Sequence, residues 1–143
     1  MVDMTTRAHT ILDTVPIGAL ATVNRDRTPL VTPLHFARCG EYIIWISDRE
    51  SRHSHNVFRT GRAEFVVWDE QKNAVFITTN VQEVTDDDEA TTCMKAYQAK
   101  LGQFRPVCQT PQLYKAPIGQ YDENATTNNW LHYTTANIAT TQQ

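Results

Sequence analysis

The stretch from Ile17 to Ser47 constrains this chain more than any other. "IGALATVN", "TPLVTPLHFAR" and "EYIIWIS" are three strand-like runs joined only by short polar turns around "NRDR" and "CG". The first alternates apolar and polar positions, and the third is rich in β-branched and aromatic residues, which suit a half-buried pleated surface. Connections this short join antiparallel neighbours, so the segment predicts a meander. On the middle strand, Leu30, Thr32, Leu34 and Phe36 fall on one face and Val31, Pro33 and His35 on the other. Pro33 has no N–H to give a ladder, so it belongs at an edge, at a bulge or where the sheet opens. It marks either a plain edge strand or an interrupted backbone against which a flat ligand lies.

The rest of the chain extends this pattern. Residues 3–13 predict a short helix with Ala8, Ile11 and Leu12 on one side, and "SRHSHNVFRTG" predicts another, capped by Ser51 and ended by Gly61. "RAEFVVWDE" (62–70) and the longer "NAVFITTNVQEVT" (73–85) read as strands. "DDDEATTCMKAYQAKLG" is the clearest helix: its first turn is acidic, Ala90, Cys93, Met94, Tyr97 and Leu101 form an apolar stripe, and Gly102 stops it. After the loop "QFRPVCQTP", two β segments flank a turn region rich in Gly, Asn, Asp and Thr. Six to seven strands with two or three inserted helices predict a mainly β, α+β architecture, a small antiparallel barrel and not a parallel α/β sheet. At 143 residues, positions 1–143 read as one domain.

Composition narrows the function. A net charge of −3 provides no global field for nucleic acid or an anionic membrane, so any anion site is local. No apolar run reaches the roughly 18 residues of a membrane span, and "MVDMTTRAHTILDTV" lacks the features of a secretory signal. Cys39, Cys93 and Cys108 are widely spaced, without a C-x-x-C pair, which predicts reduced thiols and a cytoplasmic protein. His53 and His55 stand two apart, a spacing that does not converge on a helix, and His35 and His132 are isolated, so no metal site is expected.

One stretch concentrates hydrogen-bond donors. In "WISDRESRHSHNV", a strand hands over to a helix within a group of serines, arginines and histidines. The first N–H groups of a helix lack partners within it and point at whatever precedes them. Hydroxyls of Ser47 and Ser51, the fork of Arg52 and a proton on His53 would complete a phosphate cage. The alternative is an ordinary solvated helix start.

From "RTPLVTPLHFAR" through "ISDRESRHSHNVFRTGRAEFVVWDE" to the strand after it, the order and spacing of these segments resemble the pyridoxamine 5′-phosphate oxidase-like family of split-barrel flavoproteins. The resemblance runs from about Ile11 to Val84 and more loosely to Trp130. It implies a split β-barrel homodimer binding flavin mononucleotide (FMN) in clefts shared by both subunits. It further implies that Arg52 and His53 hold the flavin phosphate with help from Ser47 and Ser51. Ile46 and Ser47 would line the flavin, Thr32, Pro33 and Leu34 would run along its ring, and Trp130 would reach over the partner's flavin. His53 stands where many relatives have lysine. The substrate-gripping residues of true pyridoxamine-phosphate oxidases have no counterpart: the second strand reads Leu34, His35, Phe36 and the chain ends "TTANIATTQQ". Three functions follow: an FMN-dependent oxidoreductase acting on a small molecule, with a nicotinamide or a reduced partner as donor; a non-catalytic carrier of flavin, deazaflavin or haem; or a structural barrel without a cofactor. The tryptophans Trp45, Trp68 and Trp130 are either all core residues or partly buried between subunits.

Overall fold

The computed structural model describes residues 4–127 and 129–135. Helix α1 (Met4–Thr14) buries Ala8, Ile11 and Leu12, the side its spacing predicts, while position 3 lies outside the described residues. Strands β1 (Ile17–Val23) and β2 (Pro29–His35) pair antiparallel along their whole length, from Ile17 against His35 to Val23 against Pro29. The turn between them is closed by Asn24, whose N–H donates to the Thr28 carbonyl at 2.8 Å, and Arg27 takes a positive φ of 72° there.

The expected continuous strand through residue 38 divides at Phe36. Strand β3 (Ala37–Cys39) leaves β2's sheet and pairs with β4 (Tyr42–Asp48) in a second one. Distant contacts hold the crossing. The Lys100 ammonium stands 3.6 Å from the centroid of the Phe36 ring and donates to the carbonyls of Leu12 and Val15, both at 2.8 Å. The Phe104 ring lies 3.9 Å from that of His35. Neither contact is encoded near residue 36.

Helix α2 (Arg52–Thr60) follows, then β5 (Arg62–Trp68), β6 (Ala74–Asn80), β7 (Gln82–Glu83), α3 (Asp87–Leu101), β8 (Pro111–Pro117), β9 (Gln120–Tyr121) and β10 (Trp130–Thr134). Ser51 and Gly61 cap α2, and Asp86 and Gly102 bound α3. Among the described residues seven strands have five residues or more, and β3, β7 and β9 are short additions. One sheet runs β2-β1-β5-β6-β10-β9 and the other β3-β4-β8-β7, an open barrel of two sheets. Among the described residues the pairing is antiparallel with one exception. Strand β10 runs parallel to β6, because the chain between them crosses the second sheet and α3 before it returns.

The main core fills the space between the sheets, with Leu20, Phe65, Val67, Ile77 and Leu131 from one and Trp45 and Tyr114 from the other. At Gly18 a Cβ would stand 2.2 Å from the Phe65 ring, so only glycine lets that ring lie over β1. The Thr79 hydroxyl, fully buried, donates to the Pro117 carbonyl at 2.7 Å and ties the sheets together. A second cluster, including Ala37, Ile44, Cys93, Tyr97 and Leu113, lies beneath α3. Burial pushes the Cys93 thiol up to about 11.

Part of the outer face of the six-stranded sheet is apolar, although Glu64 and Thr78 are hydrogen-bonded on the same face. One cross-strand row runs Pro33, Ala19, Val66, Phe76, His132, and another sets Ala74 between Trp68 and Trp130. Val31, Trp68 and Trp130 are 63%, 53% and 47% exposed, whereas Trp45 is core at 1%. The three tryptophans therefore divide.

Candidate functional site

Strand β4 ends at Asp48, whose carboxylate builds the corner that leads into α2. It accepts from the Glu50 N–H at 2.9 Å, the Gln109 N–H at 3.1 Å and the Thr110 hydroxyl. These bonds, the Thr110 hydroxyl foremost, hold its pKa below the usual carboxylate value. They also fix the corner against the loop before β8. The Ser51 oxygen accepts from the Ser54 N–H at 3.3 Å, and hydroxyls of Ser51 and Ser54 reach the Asp48 carbonyl at 2.8 and 2.7 Å. Ser51 is thus engaged as a helix cap.

The neighbouring residues are engaged differently. His53 Nε2 lies 2.9 Å from the hydroxyl of buried Ser47 and 3.4 Å from that of Ser51. Burial lowers the His53 pKa below its ordinary 6.5, so the imidazole is mainly neutral at pH 7. Arg52, at the first helical position, is exposed, and among the described residues its guanidinium makes no hydrogen bond or ion pair. The backbone N–H groups of Arg52 and His53 open the helix ahead of the capped Ser54 N–H. His55 turns away from His53 and meets Glu50 at 3.1 Å.

The remaining predicted residues flank a gap. β3 pairs with β4 only as far as Ala37 against Ile44, so the end of β4 beyond Ile44 is paired on its β8 side alone. Strand β2 is the edge of the other sheet, and it touches β4 without pairing to it. Thr32, Pro33 and Leu34 therefore line one lip of the split, and Ile46 and Ser47 the other. Leu34 is buried in the main core and Ile46 packs half-buried on the cluster under α3. Trp130 is not brought to this corner within one chain. It pairs in register with Ala74, opposite the end of the sheet that α2 covers, and its Nε1–H donates to the Lys72 carbonyl at 3.1 Å. Residues 136–143, which include most of the arginine-free C-terminus, lie outside the described residues.

Sequence reasoning missed two features beside this corner. Buried Asn56 fastens α2 to β1, donating to the Thr22 hydroxyl and the Asn24 side-chain carbonyl, both at 3.0 Å, and accepting from Arg59 at 3.1 Å. An open cleft of about 740 Å³ lies between α2 and the β1–β2 turn, walled by Arg25, Arg52 and Arg59. The signal was present: Arg52, His55, Asn56 and Arg59 recur at helical spacing on one face of α2.

Chemically, the corner offers a guanidinium, an imidazole, a hydroxyl and first-turn N–H groups, the donor set of a phosphate ester. The fold matches solved structures with varied cofactors in their descriptions. A haem-binding protein from Mycobacterium smegmatis superposes with a TM-score of 0.68 at 13% identity, covering 83% of this chain and 52% of that one. A FAD-binding protein from Mesorhizobium loti gives 0.65 at 15% identity, covering 83% and 91%. An F420 reductase gives 0.62 at 16% identity, covering 82% and 94%. At these identities the likeness is one of fold. No curated protein sequence matches the chain significantly. The sequence profile described as Pyridoxamine 5′-phosphate oxidase, however, matches residues 4–120. With a split between two sheets and a helix start beside it, both lying within that span, the chain belongs to the pyridoxamine 5′-phosphate oxidase family.

Proposed function

We propose that the chain is a flavoprotein holding FMN by its phosphate at the start of α2, in a homodimer, and that it works as an oxidoreductase. The observation that carries this reading is the β4–α2 corner, where Arg52 makes no hydrogen bond or ion pair among the described residues and His53 and Ser47 stand 2.9 Å apart beside first-turn N–H groups. Arg52 supplies a permanent forked charge to the ester. Ser47 orients the His53 ring, and an adjacent dianion makes protonation of that ring favourable. Ser51 acts indirectly, by fixing the helix start. The lips of the split, Thr32 to Leu34 and Ile46, would hold the flat ring by backbone contact, with Pro33 leaving no N–H to pair. Bound flavin supplies hydride and electron transfer, and the protein orients it.

The apolar part of the outer face supports the dimer, since an exposed patch of this kind normally marks an association surface. A partner's Trp130 would then complete the site that one chain leaves open. The test is the absorption spectrum and mass of the chromophore that copurifies, with the oligomeric state measured by sedimentation. A yellow dimer carrying FMN is expected; a colourless monomer that takes up no added FMN refutes the proposal. A second reading, a non-catalytic carrier of flavin, deazaflavin or haem, draws on the half-buried, neutral His53, a weaker phosphate ligand than lysine. Anaerobic NADH or NADPH bleaches the flavin of an oxidoreductase and leaves that of a carrier unchanged.

A further inference from the structure

The cleft beside α2 has a composition at odds with the rest of the molecule. Three guanidiniums, from Arg25, Arg52 and Arg59, face it, with Asp26 the acid in its lining, although the chain as a whole carries −3. Asp26 is turned to local work, accepting from the Thr28 N–H at 3.1 Å and the Thr28 hydroxyl at 2.6 Å. Arg59 is held in place by Asn56 and the Val23 carbonyl, which leaves the remaining donors of its fork for the cleft. His55 stands on the same wall, against Glu50.

Phe58 forms the ridge. It is 80% exposed, and it borders both this cleft and a second one of about 510 Å³ that is lined by Glu83, Asp86 and Glu89 with Lys115. An aromatic face next to clustered arginines matches a flat base joined to phosphates, because the ring stacks on the base and guanidiniums pair with phosphate oxygens. Charge favours the cleft: an anion is attracted by the arginine wall, whereas across the ridge Lys115 is already paired with Glu89 and Glu83 with Arg49.

We propose that this cleft binds a nucleoside diphosphate, its base stacked on Phe58 and its phosphates on Arg25, Arg52 and Arg59. Arg52 borders both this cleft and the β4–α2 corner, so the inference extends the flavin reading outward. Two sources share this chemistry, the adenosine diphosphate half of a flavin dinucleotide cofactor and that of a nicotinamide dinucleotide reductant.

The test titrates ADP calorimetrically into the full-length protein and into its Phe58→Ala and Arg25→Ala variants, with FMN titrated in parallel. Each substitution is expected to weaken ADP at least tenfold while changing FMN affinity less than twofold. Failure of FMN to bind while ADP binding and its sensitivity persist overturns the flavin reading alone. Failure of ADP to bind the wild type at millimolar concentration, or equal ADP affinity in all three proteins, overturns this inference alone. FAD and NADH then identify the source. If the variants lose FAD affinity, the diphosphate belongs to the cofactor; if they lose NADH affinity in the FMN-loaded protein, it belongs to the reductant. Loss of neither overturns the proposal.

Discussion

Asn56→Ala is the substitution whose cost the structure defines best. Asn56 is 2% exposed and makes three side-chain hydrogen bonds, to Thr22, Asn24 and Arg59. Its partner Thr22 is itself only 3% exposed, so truncation leaves a buried hydroxyl without its donor. Each hydrogen bond contributes about 1 kcal/mol net, and a stranded buried group costs about 1–3 kcal/mol. Part of this is recovered where exposed Arg59 and half-exposed Asn24 meet water, so the expected loss is about 3 kcal/mol. For a chain of this length that lowers the melting temperature by roughly 10 °C. Equilibrium urea unfolding followed by tryptophan fluorescence gives the loss, and the slope should not change. Thr22→Val is the partner control, because it removes the hydroxyl that Asn56→Ala strands. The double variant should therefore cost less than the sum of the single ones, by about 1 kcal/mol. A loss below about 1 kcal/mol for Asn56→Ala, or strict additivity in the cycle, refutes the network as the fastening of α2.

Three further outcomes follow. Lys100→Met removes the donor to the Leu12 and Val15 carbonyls and the charge over Phe36, and should cost about 1–2 kcal/mol at pH 7 by urea unfolding. Burial lowers the Lys100 pKa from 10.5 to about 8, so the unfolded chain binds more protons between those values, and the wild type should gain on Lys100→Met as pH rises through that window. At Gly119, with φ of 81°, a Cβ would stand 2.2 Å from the Thr134 carbonyl oxygen, so Gly119→Ala should destabilise by about 2–4 kcal/mol, read as a lowered thermal midpoint. His53 is held below 6.5 when no anion is present and would be raised beside a phosphate, so FMN binding takes up a proton and weakens between pH 7 and 8, by at most about tenfold per unit. His53→Lys should be flat over that range, and matching pH profiles for the two proteins would count against a proton on His53.

What the sequence discloses and what it hides divide along the range of the interactions involved. The caps Ser51 and Gly61, the acidic first turn of α3 and its stop at Gly102, the alternation of β1 and the buried side of α1 depend on neighbours a few residues away, and local pattern reveals them. The break at Phe36 depends on Lys100 and Phe104, which no window around β2 contains. The parallel placement of β10 is likewise set by the route of the chain through the second sheet. At the corner, residue types alone do not assign the serines, since a hydroxyl that suits a phosphate equally suits a cap. Ser51 is engaged as the cap, while Ser47 meets His53. The Arg25–Arg59–Phe58 cleft joins a turn to a helix face more than 25 positions later, so it emerges only once β1 and α2 are docked.

The central claim, that a doubly negative ester is held at the start of α2, is tested most directly by comparing FMN with riboflavin, which differs only in lacking the phosphate. Equilibrium fluorescence titration of the wild type should show FMN binding at least a hundredfold tighter, and Arg52→Ala should erase most of that preference. Equal affinity for the two flavins, or a preference that survives in Arg52→Ala, would contradict it.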